Sequence, residues 1–182
     1  MKLATSEAGI PIFAGGQRLS ASYASADRGA GTLNLCIEDD ATGDVAEGSV
    51  KLDPWLLNIY EVEQWRDGNA LVVCGAQAVV TMNATTLQSD GRVAFEYEEA
   101  EALERPWFTL SNSGEMLVAT ERRVWCIDKR LAIRWMWSCN TTADRTWICA
   151  QPLVVGKEIV LSVQSRRRPS IVRLSLEEGV EL

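Results

Sequence analysis

The sequence predicts an all-β protein: a small β-propeller-like array of about four four-stranded antiparallel units, with a β-sandwich or partly open barrel as the alternative. Three observations predict it. Helical periodicity is almost absent. Short β-rich runs alternate with turn residues along the whole chain. A turn followed by an apolar strand returns at a period of 43 to 46 residues, marked by Leu71, Leu117 and Val160.

Taken in order, the strand-like runs are 33–37, 70–74, 79–82, 116–120, 124–127, 133–139, 159–163 and 171–174. Asp67-Gly68, Asp90-Gly91, Ser113-Gly114, Gly156-Lys157 and Arg168-Pro169 punctuate them. The segment 97–105 is acidic and reads as a charged connector rather than a helix. D-G-N-A-L-V-V-C aligns with S-G-E-M-L-V-A-T and G-K-E-I-V-L-S-V, and Asn83 and Asp128 carry the same period through the following strands. Four units follow, near residues 8–52, 58–97, 105–139 and 146–182, within a single domain spanning 1–182. The first unit holds the weakest strand formers, at Ala14-Gly15-Gly16 and 24–31. A period near 45 matches a four-stranded propeller blade, whose sheet is too small to bury both faces without stacking on a neighbour. The strands are therefore expected to be apolar on both faces.

Asp40-Ala41-Thr42-Gly43, Glu177-Glu178-Gly179 and Asp128 followed by Trp135 and Trp137 resemble the strand–turn–strand element of quinoprotein-type (pyrroloquinoline-quinone-like) propeller repeats. In that family an apolar strand ends in Asp, the turn carries a Thr-Gly pair, and the next strand often carries Trp. The resemblance covers about four short windows and implies the fold. No residue pattern marks a quinone or calcium site, so no cofactor is expected.

Composition removes several function classes. The chain has 182 residues and no histidine, which takes away the usual general base, proton shuttle and commonest metal ligand. Its five cysteines, Cys36, Cys74, Cys126, Cys139 and Cys149, form no C-x-x-C pair and read as buried free thiols of a reducing cytoplasm. No apolar stretch is long enough for a transmembrane helix, and the amino-terminal residues carry no secretory pattern. The expected location is cytoplasmic. The net charge of −7 is unevenly spread, with −11 over residues 1–104 and +4 over residues 105–182.

Candidate binding residues come from that charge. Glu96, Glu98, Glu99, Glu101 and Glu104 lie within nine residues, a self-repelling density that an oppositely charged partner would relieve. Asp39, Asp40 and Asp44 form a second acidic turn, and Trp55 beside Pro54 is the candidate exposed aromatic. Trp135 and Trp137 share one strand face and are expected to wedge between blades. Arg122-Arg123 and Arg166-Arg167-Arg168 fall in matching turns between second and third strands. The overall acidity argues against nucleic acid as their partner.

The function expected from these features is a non-catalytic protein-binding module. Its particular version is an acidic immunity or inhibitor protein that neutralises a basic toxin domain. A carboxylate-based enzyme acting on sugars and an assembly subunit completing a larger propeller ring are the alternatives. The expected partner is a basic protein, with no nucleic acid and no membrane, and a homo-oligomer is left open.

Overall fold

The computed structural model describes residues 12–13, 17–25, 31–52, 60–65, 70–75, 78–95, 107–139 and 146–182. Among them there is no helix. The strands form four antiparallel sheets in chain order, in agreement with the four expected units.

Sheet A contains β1 (Ile12–Phe13), β2 (Gln17–Ser25), β3 (Gly31–Asp39) and β4 (Val45–Leu52). Sheet B contains β5 (Tyr60–Trp65), β6 (Ala70–Gly75), β7 (Ala78–Asn83) and β8 (Ser89–Ala94). Sheet C contains β9 (Trp107–Leu110), β10 (Met116–Ala119), β11 (Arg123–Ile127) and β12 (Ile133–Ser138). Sheet D contains β13 (Trp147–Ile148), β14 (Leu153–Val155), β15 (Glu158–Gln164) and β16 (Pro169–Ser175). Both β13 and β14 pair with β15, at opposite ends, so together they are one broken first strand. Leu174 bridges Glu181 and supplies the beginning of a fourth. The chain divides into two compact units, Met1–Tyr97 with sheets A and B, and Glu98–Leu182 with sheets C and D.

The repeat is most visible in the hairpin between the third and fourth strands. In sheet A, Asp39 N–H donates to Asp44 O and Gly43 N–H to Asp39 O. Asn83 and Ser175 close the same loop, with Gln88 and Val180, and Asp128 closes a version one residue shorter with Ala132. The first residue of each loop also caps it through its side chain. Asp39 Oδ1 accepts from the N–H groups of Ala41 and Thr42, and Asn83 Oδ1 from those of Thr85 and Thr86. Asp128 Oδ1 accepts from Arg130 and Ala132, and Ser175 Oγ from Glu178. These are the local side-chain bonds that make Asp, Asn and Ser turn formers. A left-handed residue precedes each exit: Gly43, Leu87, Leu131 and Gly179. Leucine costs about 1–2 kcal/mol in that conformation, and at Leu87 burial of the whole side chain offsets it.

A second repeated turn joins the second and third strands in the carboxyl-terminal unit. Thr120 Oγ1 accepts from the N–H groups of Arg122 and Arg123. Ser165 Oγ accepts from Arg167 and Arg168. The two arginine clusters do occupy corresponding turns.

Side-chain parity fixes which face meets which sheet. In unit Met1–Tyr97, Leu19, Leu33, Leu35, Ile37 and Val50 of sheet A close against Val80, Met82 and Leu87 of sheet B. In unit Glu98–Leu182, Leu117, Ala119, Val124 and Cys126 of sheet C close against Ile159, Leu161, Val163 and Leu174 of sheet D. Each fully buried aliphatic in these layers contributes about 1.5–3 kcal/mol. Trp135 and Trp137 pack on the second layer and therefore act as wedges between sheets, as expected. Both remain partly exposed, because β12 is the outermost strand of its sheet. The broken first strand of sheet D lets Gln151 reach sheet C, where its Nε2 donates to Phe108 O at 2.8 Å.

Two expectations are corrected. The strands are not apolar on both faces throughout: β3 alternates strictly, with Leu33, Leu35 and Ile37 buried and Asn34 and Glu38 exposed. The cysteines are not uniformly buried either. Cys126 and Cys139 are buried, Cys36 is half-buried and Cys149 is exposed, since it sits in the break of the first strand of sheet D.

Candidate functional site

The register of the third strands makes one face of sheet A different from its counterparts. Counting back one and three residues from the turn residue gives Met82 and Val80 in sheet B, Ile127 and Trp125 in sheet C, and Leu174 and Val172 in sheet D. All are apolar, and all but the half-buried Val172 are buried. The same count from Asp39 gives Glu38 and Cys36, followed by Asn34. A face that is hydrophobic in three sheets is polar and open in the first.

Antiparallel pairing arranges this face in rows. Arg18, Glu38 and Val45 form one row; Ser20, Cys36 and Glu47 form the next. Asn34 and Ser49 continue it. A depression of about 500 Å³ lies over these rows, lined by Ser20, Asn34, Leu35, Cys36, Glu47, Gly48 and Ser49. In the neighbouring row, Arg18 forms an ion pair with the turn residue Asp40, Nη2 lying 2.5 Å from Oδ1. That hydrogen bond and the charge of Asp40 push the Arg18 guanidinium above its already high value. The chemistry offered is one carboxylate, hydroxyls, an amide and a half-buried thiol on a rigid sheet. Such a surface can accept hydrogen bonds from a cationic side chain. Among the described residues, no group of three or more His, Cys, Asp or Glu side chains could hold a metal ion.

The sequence-derived site residues are placed as follows. Glu96, Glu98, Glu99, Glu101, Glu104 and Trp55 all lie outside the described residues. Asp39, Asp40 and Asp44 do form one exposed turn, and Asp39 is committed to capping it. Sequence reasoning does not single out Ser20, Asn34, Glu47 and Ser49, and it reads Cys36 only as a buried free thiol. The signal that finds Asn34 and Cys36 is the period-two alternation of L-N-L-C-I-E, whose polar half marks a wet face; Ser20, Glu47 and Ser49 join it only through strand pairing.

No protein-family model and no curated protein sequence matches the chain. Solved structures do. A europium-containing methanol dehydrogenase superposes with a TM-score of 0.52 at 15% identity, covering 63% of this chain and 22% of its own. The dihydro-haem d1 dehydrogenase NirN superposes at 0.55 and 14% identity, covering 90% of this chain and 36% of its own. The extracellular domain of a one-component system from B. thetaiotaomicron superposes at 0.53 and 10% identity, covering 88% and 23%. The chain thus spans between about a fifth and about a third of the length of these structures. At such identities the likeness concerns the fold and carries no activity across. The dehydrogenases among these neighbours are β-propeller proteins, and the four sheets described above are an all-β, propeller-like array.

Proposed function

We propose that this chain is a non-catalytic protein-binding module, and that the open face of sheet A receives a basic segment of its partner. The observation that carries this reading is the polar row Ser20–Cys36–Glu47 at a position where the other sheets bury apolar side chains. A sheet face kept polar is not awaiting another blade. The net charge of −11 over residues 1–104 favours a cationic partner and would steer its approach. The immunity or inhibitor version of the reading, in which a basic toxin domain is neutralised in the cytoplasm, takes its support from the same charge. Glu96, Glu98, Glu99, Glu101 and Glu104 would extend the acidic surface along the chain.

An arginine-rich peptide titrated into the protein, followed by amide chemical shifts, tests the reading. Shifts are expected at residues 18–20, 34–38 and 45–49, fading at high salt and in the Glu38→Gln, Glu47→Gln double variant. Shifts that spread over every acidic turn, or that survive the double substitution, would count against this face.

A further inference from the structure

The outer face of sheet D is the counterpart of the faces of sheets A and C that receive a following sheet. Counting back two and four residues from the turn residue gives Ile37 and Leu35 in sheet A, Cys126 and Val124 in sheet C, and Arg173 and Ile171 in sheet D. The first two pairs are buried under the next sheet. In sheet D, Ile171 is 60% exposed, and Leu153 and Val155 on the first strand are each 61% exposed. Val160 lies opposite both Leu153 and Arg173 and joins them into one patch. Three large aliphatic side chains on one rigid sheet are costly to leave in water.

We infer that this face pairs with the same face of a second copy of the chain, about a two-fold axis. Charge chooses the occupant. Glu158 and Arg173 project from this one face and pair diagonally, Arg173 Nη1 lying 3.3 Å from Glu158 Oε2. A face carrying both signs beside an aliphatic patch is self-complementary: the arginine of one copy meets the glutamate of the other, twice. Head-to-tail stacking onto sheet A is disfavoured, because that face offers Asn34, Cys36 and Glu47, with Val45 its one exposed aliphatic among the described residues, and no patch to match three aliphatic side chains. The two faces therefore have separate roles, and this pairing does not depend on the binding reading of sheet A.

Sedimentation equilibrium of the full chain tests it, with far-ultraviolet dichroism confirming that each variant is folded. The wild-type chain is expected to reach twice its monomer mass. Ile171→Glu, and separately Leu153→Glu, should weaken association by about tenfold or more. Glu158→Arg and Arg173→Glu should each associate poorly alone, since each places like charges across the axis, and a mixture of the two should form a heterodimer. A chain that stays monomeric at every concentration overturns the inference. So does a dimer indifferent to Ile171→Glu and Leu153→Glu. Open-ended growth beyond a dimer would reveal head-to-tail stacking and overturn the two-fold arrangement.

Discussion

The indole of Trp135 lies so close to Gly179 that a β-carbon at position 179 would fall inside the van der Waals envelope of the ring. The ring is held there by its Nε1–H, which donates to Leu176 O at 3.1 Å. The other unit builds the corresponding interface with the sizes reversed. Its outermost strand presents Ala46 and Gly48 where sheet C presents Trp135 and Trp137, and the facing turn supplies Leu87 where sheet D supplies Gly179. One interface puts the large side chains on the strand and the other puts one in the turn. In each unit the space between the outermost strand and the facing turn is filled from one side only.

Gly179→Ala is therefore expected to cost more than Gly43→Ala, although the two glycines have nearly equal φ, +71° and +73°. The left-handed backbone charges each alanine about 1–2 kcal/mol. At Gly43 nothing lies within 4 Å of the new methyl group, whereas at Gly179 it meets Trp135. Overpacking adds about 1–3 kcal/mol there. Urea denaturation of both variants checks the difference. Equal losses would mean that Trp135 swings aside freely.

Gly48→Ala separates packing from backbone strain in the other unit. Position 48 is not left-handed, so an alanine is conformationally acceptable, but its methyl group would collide with Leu87 Cβ and with the Leu87 carbonyl oxygen. A backbone oxygen cannot rotate away. A loss of about 1–3 kcal/mol is expected, measured by thermal denaturation. Ser49→Ala, on the exposed face of the same strand, serves as the control and should change stability by less than about 0.5 kcal/mol.

Much of this architecture was legible in the sequence, and what was not has a physical reason. Asp39, Asn83, Asp128 and Ser175 differ chemically but do one job, accepting turn N–H groups, so spacing exposed the repeat where identity did not. Gly43 and Gly179 are visible as turn residues, whereas Leu87 and Leu131 adopt the same left-handed conformation without any local signal. Tertiary burial holds Leu87 in place, and burial is not written in a turn. The open face of sheet A was legible in the alternation around Asn34, Cys36 and Glu38, yet a repeat argument that treats all units alike hides it. Charge density drew attention to Glu96–Glu104 instead. Density along the chain says nothing of which side chains share a surface.

The cysteines should divide by reactivity and make stability fall in alkali. Burial pushes the Cys126 thiol up to about 12, with Arg134 partly opposing it, and burial likewise pushes Cys139 up to about 11. In the unfolded chain both would ionise near the ordinary value of 9.0. The unfolded state then binds fewer protons than the folded one, so stability declines as pH rises from about 9 toward 11 and 12. Cys126→Ala should flatten that decline in denaturation midpoints measured across the range. At neutral pH, a thiol reagent should modify exposed Cys149 first and reach Cys126 and Cys139 only on unfolding. Early labelling of Cys126 would show that the layer between sheets C and D opens locally.

The two tryptophans of β12 should differ in what they contribute. Truncating a fully buried tryptophan costs about 3–5 kcal/mol, but neither ring is fully buried here. Trp135 packs on the Gly179 turn and its hydrogen bond to Leu176 O is half-buried, so Trp135→Ala leaves a cavity and an unpaired carbonyl. A loss of about 3 kcal/mol is expected. Trp137 donates instead to the Glu181 carboxylate in an exposed contact at 3.0 Å, where water replaces the lost partner. Trp137→Ala should therefore cost about 1–2 kcal/mol. Trp137→Phe keeps the wedge and removes the donor, and should lie within about 1 kcal/mol of wild type. Guanidinium titrations of the three variants read these differences. A Trp137→Ala loss as large as that of Trp135→Ala would mean that the carboxyl-terminal bridge through Glu181 unfolds with the ring.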